Sequence, residues 1–317
     1  MSVLYVILGT GAIGRATADE LLQRGRTVRM VNRTGKMPEA PAGVELVASD
    51  LYDQAKVREV TRGAKVVYQC AQPPYDQWQA KFPALQTAIL DGLTGSGAKL
   101  VIVENLYMFG ETNGTPMTET LPFKARTRKG RTRAEMSEAA LLAHAAGKVR
   151  VTIGRGSDFF GPWGLGSSMG ARAFFPLLQG KAAQMIGRLD IPHTCTYTLD
   201  FGKALAILGE RAEADGQAWN VPNDRPEISQ AEMIRIFAEQ AGMKPRASAM
   251  NKPMMALGGL FVPEARETVE MMYEFEQPFI VDSGKFEQTF GMKATPVREA
   301  LRTTVNWYKN HMELQHG

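Results

Sequence analysis

The chain has 317 residues, 44% of them hydrophobic and 22% charged, with 31 glycines and 17 prolines. That is too apolar for a disordered chain and long enough for one large domain or two smaller ones. The formal net charge of +4 suits an anionic ligand, but no basic run is long or aromatic-interleaved enough to make nucleic acid a partner.

Val3 to Leu8 is a continuous apolar run, the pattern of a strand buried on both faces of a parallel sheet. It ends in glycines, and Ile13 to Gly25 then repeats apolar positions at helical spacing. Further strands are predicted at Thr27 to Asn32, at VELVA ending before Asp50, and at Ala64 to Ala71 after a helix through Val57 and Val60. A helix over Phe82 to Leu93 leads to a strand at Lys99 to Asn105, and Val149 to Gly154 supplies a sixth. This alternation predicts an α/β fold with a doubly wound, Rossmann-like parallel sheet.

After Phe160 the rhythm loosens. A glycine-rich loop, GPWGLGSSMG, precedes a strand at His193 to Thr198, a helix from Asp200 and a short strand, AWNVP. Ser229 with Glu232 forms a capping box, and Thr295 followed by Pro296 opens the last helix. The expected organisation is a dinucleotide-binding domain over 1–160, its sheet completed by segments within 190–222. A smaller, mostly helical substrate-binding cap is expected over 161–317.

No apolar stretch approaches twenty residues, and the first residues run directly into a strand. A cytoplasmic protein without a membrane partner is expected. Cys70 and Cys195 have apolar, strand-like surroundings and read as two reduced thiols. The four histidines, at 144, 193, 311 and 316, have no ligand-spaced partners, so no metal site is expected.

Gly9, Gly11 and Gly14 form G-x-G-x-x-G between a buried strand and a helix, the context that a dinucleotide turn requires. Gly9 permits the tight turn, Gly11 leaves room for a diphosphate, and Gly14 lets helix and strand approach. The intervening Thr10, Ala12 and Ile13 carry the backbone amides of the turn and of the helix start toward the phosphates. Where an NAD site usually places an acid at the end of the second strand, this chain has Asn32, then Arg33 and Thr34. An arginine there attracts a 2′-phosphate and Thr34 adds a hydroxyl, so NADP(H) is the expected coenzyme.

Five pieces carry a family resemblance: GTGAIG, SDLYD (49–53), NLYMFG (105–110), the stretch from Met117 to Met136, and GRGSDFFGPWG (154–164). On these the chain resembles the short-chain dehydrogenase/reductase superfamily, in its extended and atypical branch of NAD(P)-dependent epimerase/dehydratase-like proteins. Leu8 stands where extended members commonly have their first glycine. The resemblance implies that Asp50 and Leu51 meet the adenine and that Cys70, Ala71 and Gln72 pass the coenzyme ribose. It also implies an active-site Ser or Thr at position 105 and a Tyr-x-x-x-Lys pair. Counting back from Glu135 places that pair at Thr127 and Arg131, and the residue at 105 is Asn105. All three catalytic positions depart from the family. A homodimer through helices flanking the sheet, including the one after Thr127, is a further implication.

A threonine hydroxyl titrates too high to replace a phenol, and Arg131 holds ribose or phosphate without cycling protons. Asn105 can still donate a hydrogen bond to a carbonyl oxygen. Tyr107 is the best substitute proton donor, at the carboxyl edge of a central strand where ligand chemistry collects, with Tyr75 and Tyr197 as further possibilities. Tyr75, Trp163, His193 and Tyr197 are candidates for the wall of a substrate pocket. Among the basic residues of the same helix, Arg128, Lys129 and Arg133 read as a solvated surface. The leading reading is an NADP(H)-dependent oxidoreductase that reduces a small organic carbonyl, imine or activated double bond. A non-catalytic NADP(H)-binding redox sensor or regulator and a sugar-nucleotide epimerase/dehydratase stay open beside it.

Overall fold

The computed structural model describes residues 3–261 and 263–316. Eleven strands occur among them: β1 (Leu4–Leu8), β2 (Thr27–Asn32), β3 (Glu45–Ala48), β4 (Ala64–Gln69), β5 (Lys99–Glu104), β6 (Arg150–Arg155), β7 (Asp158–Phe160), β8 (Ala183–Ile186), β9 (Cys195–Tyr197), β10 (Ala218–Asn220) and β11 (Ala247–Met250). The first seven helices are α1 (Ala12–Gln23), α2 (Gln54–Val60), α3 (Trp78–Leu93), α4 (Arg128–Ala145), α5 (Ala171–Leu178), α6 (Thr198–Glu210) and α7 (Gln230–Ala241). The chain divides into two compact units, one of residues 1–108, 128–155 and 201–221, the other of 109–127, 156–200 and 222–317.

The first unit holds a seven-stranded parallel sheet in the order β10-β6-β5-β4-β1-β2-β3. Sequence order reverses between β1 and β4, which makes the carboxyl ends of those strands the switch point where such sheets bind ligands. Val6, Leu8, Val67, Leu100, Ile102, Val151 and Ile153 pack with Phe82, Leu85 and Ile89 of α3 in one apolar cluster. The central strands β1, β4, β5 and β6 are almost wholly buried, on both faces, which is why apolar residues dominate their sequences. β10 is drawn from far along the chain and pairs with β6 through Ala218, Trp219 and Asn220.

The second unit has its own core. Phe174 of α5 stacks on Phe237 of α7 with ring centres 4.2 Å apart, and Tyr308 packs edge-on against Phe174 and Phe175. Two small parallel pairs complete it, β7 with β9 and β11 with β8. Ser229 caps α7 as the sequence implies, its hydroxyl accepting from the Glu232 amide at 3.2 Å, and the last helix spans Val297–Asn310 behind Pro296. Among the described residues no helix is long and apolar enough to cross a membrane.

Candidate active site

The turn between β1 and α1 is shaped for a ligand backbone. Gly9 has φ of +113°, and a Cβ there would lie 2.6 Å from the Ala71 nitrogen and 2.8 Å from the Cys70 carbonyl carbon. At Gly14 a Cβ would meet the Gly9 oxygen within 2.4 Å. Both glycines therefore let three backbones converge. Gly11 is different: a Cβ there would meet nothing within 4 Å, so the space it leaves open is not used by the protein itself. It is also the N-cap of α1, has no side-chain cap, and is followed by a first turn without acids. Those free amides, together with the helix dipole, suit an anion. Thr10, Ala12 and Ile13 lie in the same turn, and a nicotinamide dinucleotide fits this cradle.

The end of β2 is organised internally. Asn32 Nδ2 donates to Thr10 Oγ1 at 3.0 Å and to the Lys36 carbonyl at 2.8 Å, while its Oδ1 accepts from the Thr34 and Gly35 amides at 2.9 and 2.7 Å. The Thr34 hydroxyl turns back on Asn32 and Lys36. Arg33 is exposed. Asp50 is exposed at the end of β3 and its carboxylate accepts from the Tyr52 amide at 3.0 Å, with Leu51 buried beside it. At the end of β4, the Cys70 amide donates to the Leu8 carbonyl at 2.8 Å, Ala71 is half-buried and Gln72 exposed.

The carboxyl ends of β4 and β5 hold an aromatic and cationic cluster. The hydroxyls of Tyr75 and Tyr107 share a hydrogen bond of 3.4 Å. Trp78, at the start of α3, packs edge-on to Tyr75 at 5.2 Å and tilted against Tyr107 at 5.8 Å. Its indole N–H donates to the Pro73 carbonyl at 3.2 Å, which fixes the ring. Lys129 Nζ lies 4.5 Å from the centre of the Tyr75 ring. Arg133 donates from Nε to Asn105 Oδ1 at 3.3 Å and from Nη2 to the Val103 carbonyl at 3.2 Å. Beneath it, the Arg155 and Glu104 side chains pair at 3.1 Å, with Ser137 bonded to both. Burial lowers the Arg133 pKa, and the nearby Glu104 carboxylate offsets part of that.

These positions correct the reading of α4. Lys129 and Arg133, expected at a solvated surface, are both 2% exposed, whereas Arg131 is on the exposed face. The buried face runs through Lys129, Arg133, Met136, Ser137 and Ala140, at helical spacing. The pair that meets β5 and the aromatic cluster is therefore 129/133, two residues on from 127/131. Thr127 belongs to the second unit.

The other predicted pocket residues also lie in the second unit. His193 is 1% exposed, stacked between Phe275 and Phe279, with Nε2 2.8 Å from Asp158 and Nδ1 3.2 Å from the Glu274 carbonyl. Its hydrogen-bonding capacity is filled by its own unit. Trp163 takes φ of +62° and packs edge-on against Trp307 and His311. Tyr197 is buried, its hydroxyl pushed up to about 12 by that burial, and it lines a cavity of about 20 Å³ with Phe160, Asp200 and Asn223. That space holds about one water, not an organic substrate.

Glu274 is 3% exposed and has a carboxylate oxygen without a hydrogen-bond partner. Burial, helped by the charge of Asp158, pushes its carboxyl well above the usual range. The folded state then keeps a proton that the unfolded chain has already lost, so stability falls as pH rises through and above the ordinary glutamate range. Glu274→Gln is expected to be more stable than wild type at neutral pH and equal to it near about pH 4. Thermal melts across that range check this, and a variant less stable at neutrality would refute it.

A family model described as "NAD dependent epimerase/dehydratase family" matches residues 5–221. No curated protein gives a significant match. Among solved structures, an epimerase from Methanothermobacter thermautotrophicus superposes with a TM-score of 0.80 at 15% identity, over 99% of this chain and 94% of that one. UDP-glucuronic acid 4-epimerase from Bacillus cereus in complex with NAD gives 0.78 at 14%, over 97% and 99%. dTDP-glucose 4,6-dehydratase from Bacillus anthracis in complex with NAD gives 0.76 at 15%, over 98% of each. The NADP(H) expectation is corrected by these findings, since the matching family is NAD-dependent and both complexes hold NAD. In the β2 loop Asn32 and Thr34 are engaged with each other, Thr10 and Lys36, so of the three residues expected to meet a 2′-phosphate two have their side chains bonded within the loop itself.

Proposed function

The chain belongs to the NAD-dependent epimerase/dehydratase family, and we propose that it binds NAD and catalyses an epimerase- or dehydratase-type reaction at a sugar carbon of a nucleotide-linked sugar. The observation that carries the coenzyme half is the open space at Gly11, beside an uncapped helix start in the turn that Gly9 and Gly14 bring close to the end of β4. Gly9, Thr10, Gly11, Ala12, Ile13 and Gly14 would hold the diphosphate. Asn32 faces the adenosine ribose, Asp50 and Leu51 the adenine, and Cys70, Ala71 and Gln72 the second ribose. When bound, NAD supplies a hydride acceptor that is restored before the product leaves. Asn105 contributes a hydrogen bond to the reacting oxygen: its Oδ1 is occupied by Arg133 and the Tyr107 amide, which leaves Nδ2–H to donate.

The reduction of free carbonyls, imines or enones gains no support from the family match, and the sugar-directed reading takes its place. The test is a calorimetric titration with NAD, followed by incubation of the loaded protein with UDP- and dTDP-hexoses and chromatography of the products. NAD binding and a new nucleotide sugar are expected. Absence of NAD binding overturns the coenzyme reading. NAD binding with no turnover of any nucleotide sugar, alongside NADH-dependent reduction of simple carbonyls, overturns the substrate class.

A further inference from the structure

The helix that carries a tyrosine and a lysine in the family carries Lys129 and Arg133 on its buried face here. No phenol stands on α4, yet two stand opposite it. Tyr75 follows β4 and Tyr107 follows β5, so both arise at the carboxyl edge of the sheet beside its switch point. Their hydroxyls are 3.4 Å apart, and a single indole, Trp78, pinned by its own hydrogen bond, packs against both rings. Lys129 lies 4.5 Å from the Tyr75 ring centre, and Arg133 is anchored on Asn105, two residues before Tyr107.

The geometry points to Tyr107 as the proton-transferring residue of this enzyme, with Tyr75 as its relay to solvent and Lys129 and Arg133 as the cations that stabilise negative charge on the phenol pair. In this chain the phenol and its cation come from separate elements rather than from one helical turn. The inference rests on the epimerase/dehydratase reading above. Tyr107 is preferred to Tyr75 because it neighbours Asn105, whose free amide hydrogens can hold the same substrate oxygen. Both phenols are half-buried, Tyr75 in the short 3-10 turn that leads into α3, so a proton can pass from Tyr107 through Tyr75 to water.

In the oxidative direction the ionised Tyr107 oxygen takes the proton as the substrate O–H bond breaks and a carbonyl forms; NAD, when bound, would supply the acceptor for the hydride that leaves the adjacent carbon. In the reverse direction Tyr107 returns the proton to the substrate oxygen, and the reduced coenzyme would supply the hydride. The charged groups facing the pair include Lys129, over the Tyr75 ring, and Arg133, which interacts electrostatically with Tyr107 and packs on Trp78 and Phe82 of α3. Beneath Arg133, the Glu104 carboxylate pairs with Arg155 and also interacts with the Arg133 charge.

The first test needs neither substrate nor coenzyme. Tyrosinate absorbance is followed against pH in wild type, Tyr107→Phe, Tyr75→Phe and Lys129→Met. Five of the eight tyrosines, Tyr5, Tyr52, Tyr68, Tyr197 and Tyr308, have hydroxyls raised chiefly by burial, so they titrate late and leave an early step visible. An early step is expected in wild type, lost in Tyr107→Phe and moved to higher pH in Lys129→Met. Identical curves for wild type and Lys129→Met would overturn the cation assignment.

The second test measures turnover. Tyr107→Phe is expected to lower kcat about 10²–10⁴-fold with NAD affinity unchanged by calorimetry. Wild-type kcat in that variant overturns the phenol assignment and leaves the proposed function standing. A wild type that binds NAD but turns over no nucleotide sugar removes the function, while the titration still decides the phenol pair.

Discussion

Replacing Glu104 with alanine is expected to cost about 3–5 kcal/mol of folding stability, the range found when one partner of a buried ion pair is removed. The Glu104 side chain is fully buried and that of Arg155 is 1% exposed, so neither charge has water to fall back on. One Glu104 oxygen accepts from Arg155 and from Ser137, and the same carboxylate supports the charge of the buried Arg133. Its loss would leave two guanidinium groups enclosed without their anion. Against a typical total of about 5–15 kcal/mol, this is a large fraction. Urea denaturation of Glu104→Ala measures the cost directly. The double variant Glu104→Gln, Arg155→Met is expected to lose less than the single one, because it removes a charge together with its counter-charge. A Glu104→Ala midpoint within error of wild type would refute the account.

The second large effect separates ligand from fold at neighbouring glycines. Gly11→Ala is expected to leave stability within about 0.5 kcal/mol of wild type, since its backbone φ is −73° and the added Cβ meets no protein atom within 4 Å. The same substitution places a methyl group where the diphosphate is to lie, so NAD affinity is expected to fall at least about 10-fold, or about 1.4 kcal/mol. Gly9→Ala behaves differently. Its Cβ would strike backbone atoms of Cys70 and Ala71, which cannot swing aside, and its φ of +113° is costly for any side chain. Both stability and NAD binding are expected to drop there. Melting curves and calorimetry on the two variants read this contrast. A Gly11→Ala protein that binds NAD as wild type does would remove the diphosphate from this turn.

The sheet is legible because its central strands are buried on both faces. VLYVIL and KLVIVEN have no polar alternation, and only a parallel sheet sandwiched by helices requires that pattern. β8 and β11 are not, because they are four residues each and β11, Ala-Ser-Ala-Met, is almost wholly exposed. The glycine turn could be read from its spacing between a buried strand and a helix, where Gly9 and Gly14 answer steric demands and Gly11 leaves space open. The coenzyme could not, because Arg33 and Thr34 by composition say nothing about where Asn32 directs its hydrogen bonds.

The buried face of α4 is not legible in the sequence for a related reason. Its interior side is Lys129, Gly130, Thr132, Arg133, Ser137 and Ala140, with Met136 the one large apolar residue. With no apolar stripe to orient the helix, periodicity admits two faces, and nothing in the sequence gives a reason to bury Lys129 and Arg133 in place of Arg131. Burying them requires partners that sit far away in sequence: Glu104, Asn105 and the rings of Tyr75, Trp78 and Phe82.

Because β10 closes the large sheet beside β6, the first unit cannot be finished during synthesis until residue 221 has left the ribosome. Residues 109–127 and 156–200, which belong to the other unit, emerge before that point. For that interval the nascent chain carries β6 as a bare edge, the kind of strand that pairs with other chains. A fragment ending at residue 160 would carry the same open edge permanently. Aggregation of such a fragment would reflect an interrupted assembly order, not a weak nucleotide-binding core.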